Sequence, residues 1–402
     1  MTDQSAFNVA LVGCGFMGRA HSNAYRQVNA FFPTLPYQVV RKVMVDINET
    51  AVKQQSALQG WNEWSTDLDA VLKRPDIHAV DVATSNDSHF SVAMKVIAAG
   101  KTVMCEKPLA LTVAQASEMA AAAKKANLRT MIWHNYRRAP AATLAAQLIA
   151  DGKLGEIRHV RAVYLQDWLT DDACPYLWRM NAKLAGSGAH GDLNAHLIDM
   201  TRFMTGLEFN EVSGMQETFI KERKMPDGKG MGTVDVDDAF LFLARMANGA
   251  LASFESTRAA AGRKNYNKLE INGTKGSLVW NFERMNELEF FSVEDELRSQ
   301  GFRNIMCMNG GAHAYAGNYW PDGHVIGYEH TFVNALADFL ISLKNNTPFR
   351  PDFADAVASQ EVLEASLESA RSRQWVKVPH SQTFAGPAVK PSAVQAQRKV
   401  GL

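Results

Sequence analysis

Neither sign of charge is in excess: 42 Lys and Arg balance 42 Asp and Glu, so no electrostatic case exists for a nucleic-acid or membrane-surface partner. No apolar run reaches the roughly 18 residues that a membrane span needs. The first residues, with Asp3 among polar neighbours, lack a basic region followed by a long apolar stretch, so no signal peptide is read there. Cysteine is scarce. Cys14, Cys105, Cys174 and Cys307 lie far apart without metal-type spacing, and a reduced, cytoplasmic protein is the economical expectation. Internal repeats and low-complexity segments are also missing. What is present is an ordinary globular composition, 47% hydrophobic and 21% charged, which excludes disorder. At 402 residues the chain exceeds one ordinary core, and two domains are expected.

Up to about residue 134, short runs rich in Val, Ile and Met (9–12, 39–45, 77–83, 101–105, 129–133) alternate with helical patterns such as Ser91 to Ala99 and Val113 to Ala126. That alternation predicts an α/β domain whose parallel sheet is covered by helices on both faces. Beyond about 150 the pattern changes. Asp238 to Arg245 and Ala250 to Thr257 flank Ala247-Asn248-Gly249, where Asn-Gly suits a tight hairpin. Lys268 to Ile271 and Ser277 to Trp280 flank a second turn cluster, so a large open, mainly antiparallel sheet in an α+β domain is expected over 135–380. Thr331 to Leu343 and Ala354 to Ala370 read as late amphipathic helices of that domain, and 381–402 as a loose tail.

The first apolar run leads into Gly13-Cys14-Gly15-Phe16-Met17-Gly18 and a plausible helix, Arg19 to Phe31. Strand, glycine turn and helix in that order lay a dinucleotide pyrophosphate on backbone N–H groups, the Rossmann arrangement. Asp46 closes the second run, where an acid binds the adenosine ribose hydroxyls and repels a 2′-phosphate, favouring NAD over NADP. The loop Phe32 to Tyr37, with Pro33 and Pro36, accounts for its spacing from Gly18 beyond the usual ~20 residues. The alternative is that Asp46 merely starts a turn. Arg41 and Lys42 sit too early in the strand for a phosphate clamp. Thr84 and Asn86, after the next buried run, can line the cofactor crevice; equally, Asn86-Asp87-Ser88 can cap the following helix.

Cys105-Glu106-Lys107-Pro108 ends a later strand of the same sheet, and a cation at that edge, beside a nicotinamide, points to chemistry. The second chemical cluster is Gly188-x-x-x-Asp192-x-x-x-His196-x-x-Asp199. A helix over 191–204 puts Asp192 and His196 on one face, with Leu193, Leu197, Met200 and Met204 as a separate apolar stripe. An imidazole there can accept an alcohol proton, and a carboxylate can orient it. The plainer reading makes Asp192 a helix cap and His196 a satisfied interior histidine. A metal shared by the two is a third option, but no further ligand stands at suitable spacing, and none is expected.

Glycine loop, Glu-Lys-Pro and Asp-x-x-x-His in this order resemble the glucose–fructose oxidoreductase / inositol 2-dehydrogenase (Gfo/Idh/MocA) family, over residues 7 to about 378. The resemblance implies Lys107, Asp192 and His196 as the catalytic set. It implies cofactor contacts from the loop 13–18, Asp46, Thr84, Asn86, His89, Glu106, Lys107 and, near the nicotinamide, Asn135. Tyr164-Leu165-Gln166-Asp167-Trp168 with Leu177-Trp178-Arg179 is most similar to the anhydrosugar, glycoside and inositol dehydrogenases of the family. It implies oxidation of a secondary ring hydroxyl, at C3 in the anhydrosugar enzymes, with Gln166, Trp168 and Arg179 as candidate sugar contacts. The antiparallel sheet of the second domain offers a broad face for self-association, so a dimer or tetramer is expected. A glycosidase that retains its NAD and a non-catalytic dinucleotide sensor remain open. His190, Asn194, His313 and His324 depart from the pattern, and a surface position is expected for His324.

Overall fold

Short runs of β-branched and aliphatic residues separated by helices build the first of two compact units. The computed structural model describes residues 5–381. Strands β1 (Ser5–Val12), β2 (Tyr37–Val45), β3 (Glu63–Ser65), β4 (Ala79–Val82), β5 (Thr102–Cys105) and β6 (Thr130–Ile132) form one sheet in the order β3-β2-β1-β4-β5-β6. Every neighbouring pair is parallel. Helices α1 (Phe16–Phe31), α2 (Glu49–Gln59), α3 (Leu68–Leu72), α4 (Asn86–Ala98) and α5 (Val113–Lys125) connect them. All four residues of β4 are buried, as a strand covered on both faces must be. The strand order reverses at β1, which pairs with both β2 and β4, and this opens the crevice at the strands' carboxyl ends. The expected runs match this sheet except for β3, a three-residue edge strand with too little apolar signal to be seen in the sequence.

The second unit centres on a nine-stranded sheet. Its strands are β7 (Ile157–Leu165), β8 (Phe209–Glu217), β11 (Ala239–Met246), β12 (Leu251–Thr257), β13 (Tyr266–Gly273), β14 (Gly276–Asn281), β15 (Glu287–Ser292), β16 (Arg303–Met306) and β17 (Val376–Lys377); β9 (Glu222–Lys224) and β10 (Met231–Thr233) form a separate hairpin. The order is β16-β15-β14-β13-β7-β12-β11-β8-β17. Only β7 and β12 run parallel; the other pairs are antiparallel. The Asn-Gly hairpin joins β11 to β12, with Gly249 at φ +89°. Along β11, Phe240, Phe242, Ala244 and Met246 turn inward while Leu241, Leu243 and Arg245 turn out. Phe242 stacks on Phe254 of β12 at 4.3 Å between ring centroids. Helices α6 (Pro140–Ala150) and α8 (Ala195–Thr205) cover the inner face, and short α7 (Ala182–Ala185) lies between them in sequence.

The late helices α9 (Tyr328–Asn345) and α10 (Phe353–Ser372) correct the expected boundary. The first unit comprises the chain up to Arg138 together with Gly327–Val357; the second takes Ala139–Ile326 and the chain from Ala358 on. A contiguous 135–380 domain therefore does not describe the compact units. The reason is burial: Phe332 of α9 is fully buried against His21 and Trp133, at 5.4 and 5.6 Å between ring centroids. Arg138 also pairs with Asp338 at 2.8 Å, and Phe353, Ala356 and Val357 join the core of β4 and β5. The tail expected over 381–402 lies, beyond Ser381, outside the described residues. Truncating Phe332 to Ala removes a fully buried ring and should destabilise the first unit by about 3–5 kcal/mol. Hydrogen exchange resolved by segment should show faster opening of β1 and β4, not of β11 and β12.

Candidate functional site

In the first unit the glycines divide into two kinds. A Cβ on Gly13, at φ +103°, would stand 2.5 Å from the Ala83 carbonyl oxygen, and one on Gly18 would stand 2.1 Å from that of Gly13. Both are demanded by the fold. Gly15 is different: a Cβ there meets nothing within 4 Å. It sits at the N-terminus of α1, where no side chain caps the helix and the first turn carries no acid. Open space in front of uncapped N–H groups fits a pyrophosphate, so the loop suits a dinucleotide. Asp46 Oδ2 accepts from the Cys14 N–H at 2.9 Å and Oδ1 from the Asn48 N–H at 3.0 Å, which fixes the carboxylate beside the glycine turn. Burial, then the Asp46 hydrogen bond, pushes the Cys14 thiol up to about 11, so Cys14 is a neutral thiol at pH 7.

Behind Glu106-Lys107 lies a buried charge network. His21 Nδ1 donates to Asp81 Oδ2 at 2.8 Å and Nε2 to Glu106 Oε1 at 3.0 Å. Asp81 also accepts from the Tyr25 hydroxyl (2.6 Å) and the Trp133 indole (2.8 Å). Burial alone would suppress charge on His21, but Asp81 and then Glu106 outweigh it and raise its pKa from 6.5 to about 9. Glu106 Oε2 accepts from the Lys107 N–H at 3.0 Å. The imidazolium thus grips the carboxylate that holds the Lys107 backbone.

The second unit assembles its polar cluster through the parallel pair. In register, Thr257 of β12 and Tyr266 of β13 both lie opposite Leu165 of β7. Gln166, Arg258 and Asn265, each one residue beyond those positions, therefore emerge together. The Tyr164 hydroxyl donates to Asn265 Oδ1 at 2.6 Å, Gln166 Nε2 donates to the same oxygen at 3.0 Å, and the Trp168 indole donates to Gln166 Oε1 at 2.9 Å. The Trp168 ring lies over the Arg258 guanidinium at 5.3 Å. Arg258 Nη2 donates to Asp192 Oδ2 and to the Gly188 carbonyl, both at 2.9 Å. Tyr164 closes the array, its ring 5.9 Å from that of His196.

The Asp-x-x-x-His helix departs from expectation. His190–Asn194 is a π-helical turn that runs into α8, so Asp192 and His196 do not keep the simple four-residue α spacing. Nor is the apolar surface a stripe, because α8 is buried from Ala195 through Met204. Asp237 sets the turn: its carboxylate accepts from the N–H groups of Gly188 (2.7 Å) and His190 (2.8 Å). A Cβ on Gly188 would stand 1.8 Å from the Asp237 carbonyl oxygen. His190 stacks on Phe240 at 3.7 Å, contacts Asn194 Nδ2 at 3.0 Å and donates to the Leu363 carbonyl at 2.9 Å. Burial, against the opposing charge of Asp237, lowers its pKa to about 4, so it is a neutral interior residue.

Several expected cofactor contacts have visible protein partners. His89 is fully buried, with Nδ1 on the Pro108 carbonyl (2.9 Å) and Nε2 on that of Thr84 (3.2 Å), and ties two crevice loops together. Thr84 Oγ1 accepts from the Ser88 hydroxyl at 2.6 Å, and Asn86 opens α4. Asn135 is buried and donates to Thr331 of α9 at 2.7 Å. Of the sugar candidates, Gln166 and Trp168 share one hydrogen bond, while Arg179 stacks on Trp178 at 4.4 Å. His324 is exposed in a turn. Sequence reasoning passed over Arg258, Asn265, His21 and Asp81, none of which stands in a recognisable local pattern; it also passed over Ile47, which is 96% exposed beside Asp46.

Among the described residues no helix is long and apolar enough to cross a membrane, and no group of three or more His, Cys, Asp or Glu could hold a metal ion. A doubly wound sheet with a dinucleotide loop, a lysine at a strand's carboxyl end and an Asp/His turn define an NAD-dependent oxidoreductase acting on CH–OH groups. Residues 7–134 match the oxidoreductase family with an NAD-binding Rossmann fold, and residues 143–279 match the GFO/IDH/MocA C-terminal domain. The chain belongs to the Gfo/Idh/MocA family. It is 40% identical over 385 residues to levoglucosan dehydrogenase of Pseudarthrobacter phenanthrenivorans, covering 92% of this chain and 98% of that one. A crystal structure of an oxidoreductase domain protein from Kribbella flavida superposes with a TM-score of 0.91 at 45% identity, covering 94% of this chain and 100% of that one. Levoglucosan dehydrogenase in complex with NADH and L-sorbose superposes with a TM-score of 0.90 at 40% identity, again over 94% and 100%.

Two predictions follow from this geometry. Gly15→Ala should leave the melting temperature unchanged but weaken NADH binding by about tenfold or more, whereas Gly18→Ala should destabilise the first unit by about 3 kcal/mol through overpacking; fluorescence titration and thermal unfolding read the two. The buried histidines give opposite pH dependences. His21, at about 9 folded against 6.5 unfolded, contributes stability below pH 6.5 that is lost as pH rises through 9. His190, at about 4 folded, contributes stability above pH 6.5 that is lost as pH falls towards 4. Each arm is on the order of 3 kcal/mol. Melting curves from pH 4 to 9.5 should lose the alkaline arm in His21→Asn and the acid arm in His190→Gln.

Proposed function

We propose that the protein oxidises a secondary ring hydroxyl of a sugar, glycoside, anhydrosugar or inositol, at the carbon corresponding to C3, with NAD as the preferred cofactor. The observation that carries this reading is the array Tyr164–Asn265–Gln166–Trp168, whose hydrogen bonds orient amides and a half-buried indole around Asp192 and His196. An indole face suits the C–H side of a sugar ring, and oriented amides suit its hydroxyls. Levoglucosan dehydrogenase, solved with NADH and levoglucosan, covers nearly the same length of chain and supports an anhydrosugar as the first substrate to try.

Bound NAD⁺ supplies the acceptor for the hydride that leaves the carbinol carbon. His196 takes the hydroxyl proton as the O–H bond breaks and the carbonyl forms, since an imidazole titrates near neutrality. Asp192 orients His196 and stabilises the imidazolium, and Lys107 hydrogen-bonds the reacting oxygen. Gln166, Trp168 and Arg179 hold the ring. Gly13, Cys14, Gly15, Phe16, Met17 and Gly18 carry the pyrophosphate, with Thr84, Asn86 and the backbone of Glu106 lining the crevice and Asn135 near the nicotinamide. Preference for NAD over NADP is supported by Asp46 and by the two nearby cations being engaged elsewhere. Arg41 Nη1 donates to the Gln59 carbonyl at 2.5 Å, and Lys42 pairs with Glu63 at 3.0 Å. A dimer or tetramer belongs to the same reading, because Met215, Leu241, Leu243 and Leu251 are exposed on the outer sheet face. So does a cytoplasmic setting, supported by four free cysteines, two of them buried.

The test is NADH absorbance with NAD⁺ or NADP⁺ against levoglucosan, inositols, free sugars and aryl glucosides. Steady NADH with one panel member is the expected result, with NAD⁺ favoured at least tenfold in kcat/KM (about 1.4 kcal/mol). Aryl release without NADH would replace this reading with the cofactor-retaining glycosidase, and NAD binding without either would replace it with the sensor. His196→Ala should lower kcat by about 10²-fold or more while NADH affinity holds.

A further inference from the structure

Arg258 is 2% exposed at its side chain, and its charge partner Asp192 is 29% exposed. Only Nη2 of the guanidinium is spent, on Asp192 and the Gly188 carbonyl; Nε and Nη1 are buried beneath Trp168 and have no hydrogen-bond acceptor among the described residues. Burying a cation with two unmatched donors is unfavourable, and a buried ion pair of this kind adds little net stability compared with an apolar side chain of the same size. The fold gains little from this residue. What Arg258 does is mechanical: with Asp237 on the N–H of Gly188 and Arg258 on its carbonyl, the two peptides that flank Gly188 just before the π-turn are both held, and Asp192 is held from the same nitrogen.

We propose that Arg258 is the positioning residue for Asp192, holding the carboxylate as a fixed, ionised acceptor so that His196 and not Asp192 takes the substrate proton. The inference rests on the reading of Asp192 and His196 as the proton-handling pair. Its placement follows from topology, because residue 258 leaves β12 directly beside residue 166 leaving β7.

Five proteins test this: wild type, Asp192→Asn, Arg258→Met, Arg258→Lys and the Asp192→Asn/Arg258→Met double variant. In Arg258→Met, kcat should fall about 10²-fold, the scale of a misplaced catalytic group. KM and NADH affinity should change less than threefold, and far-UV circular dichroism should match the wild type. Arg258→Lys should recover part of kcat. The double variant should be no slower than Asp192→Asn, because the effect of Arg258 on turnover passes through that carboxylate. Losses that multiply in the double variant, or full kcat in Arg258→Met, would overturn the proposal. A crystal structure of Arg258→Met needs no turnover: Asp192 unmoved would sink the inference whatever the wild type oxidises, whereas a silent wild type would sink only the reaction.

Discussion

Parallel strand pairing decides where the chemistry of this chain can stand. Two parallel neighbours deliver their carboxyl ends to one edge, and a parallel pair needs a long crossover, so loops of unrelated sequence arrive side by side. In the first unit this applies across the sheet: the glycine turn follows β1, Asp46 follows β2, Thr84 follows β4 and Glu106-Lys107 follows β5. In the second unit a single parallel pair, β7 with β12, does the same within an otherwise antiparallel sheet. Gln166 and Arg258 meet for that reason, and the antiparallel entry of β13 adds Asn265 at the same level. The site residues that matter most to this account are neighbours by register and distant by sequence.

Buried ionisable groups show how the same side chain acquires opposite character. His21 and His190 are both inaccessible, and desolvation is the largest influence on each. Two carboxylates reverse it at His21, which is charged at neutral pH. At His190 the opposing carboxylate, Asp237, spends both oxygens on backbone N–H groups, and an aromatic ring covers the imidazole, which is neutral. Count and orientation of partners decide the outcome, not burial alone. His21 thereby becomes a cationic support for Glu106 and the backbone of Lys107, while His190 becomes packing material that fastens the π-turn to Leu363.

Whatever depends on a few consecutive residues was legible in the sequence. The strand–glycine–helix unit, the strand-end positions of Asp46 and Glu106-Lys107 and the Asn-Gly hairpin are all local, and so are the turn and capping chemistries that betray them. The expected sheet types of both units followed from periodicity. Long-range pairing was not legible. Nothing near Arg258 marks it, since its meaning comes from lying opposite the end of β7. His21 reads as one more helical residue until Asp81 and Glu106 are brought to it. The late helix Tyr328–Asn345 carries an ordinary amphipathic pattern that does not say which core it completes, and Phe332 assigns it to the first. The π-turn escaped because its cause, the Asp237 carboxylate on two N–H groups, lies almost fifty residues downstream.

Glycine 15 and arginine 258 carry the same kind of argument from opposite directions. One is a residue whose missing side chain the fold does not require, since a Cβ there would touch nothing. The other is a side chain the fold does not profit from, since it buries charge and two unmatched donors. Each is locally inconsistent with a sequence chosen for stability alone, and such inconsistencies concentrate where a ligand or a reacting group must be served. Gly13, Gly18 and Gly188 show the contrast, because close backbone approach explains them completely. Subtracting what packing explains leaves a short remainder, and that remainder lies at the carboxyl ends of parallel strands in both units.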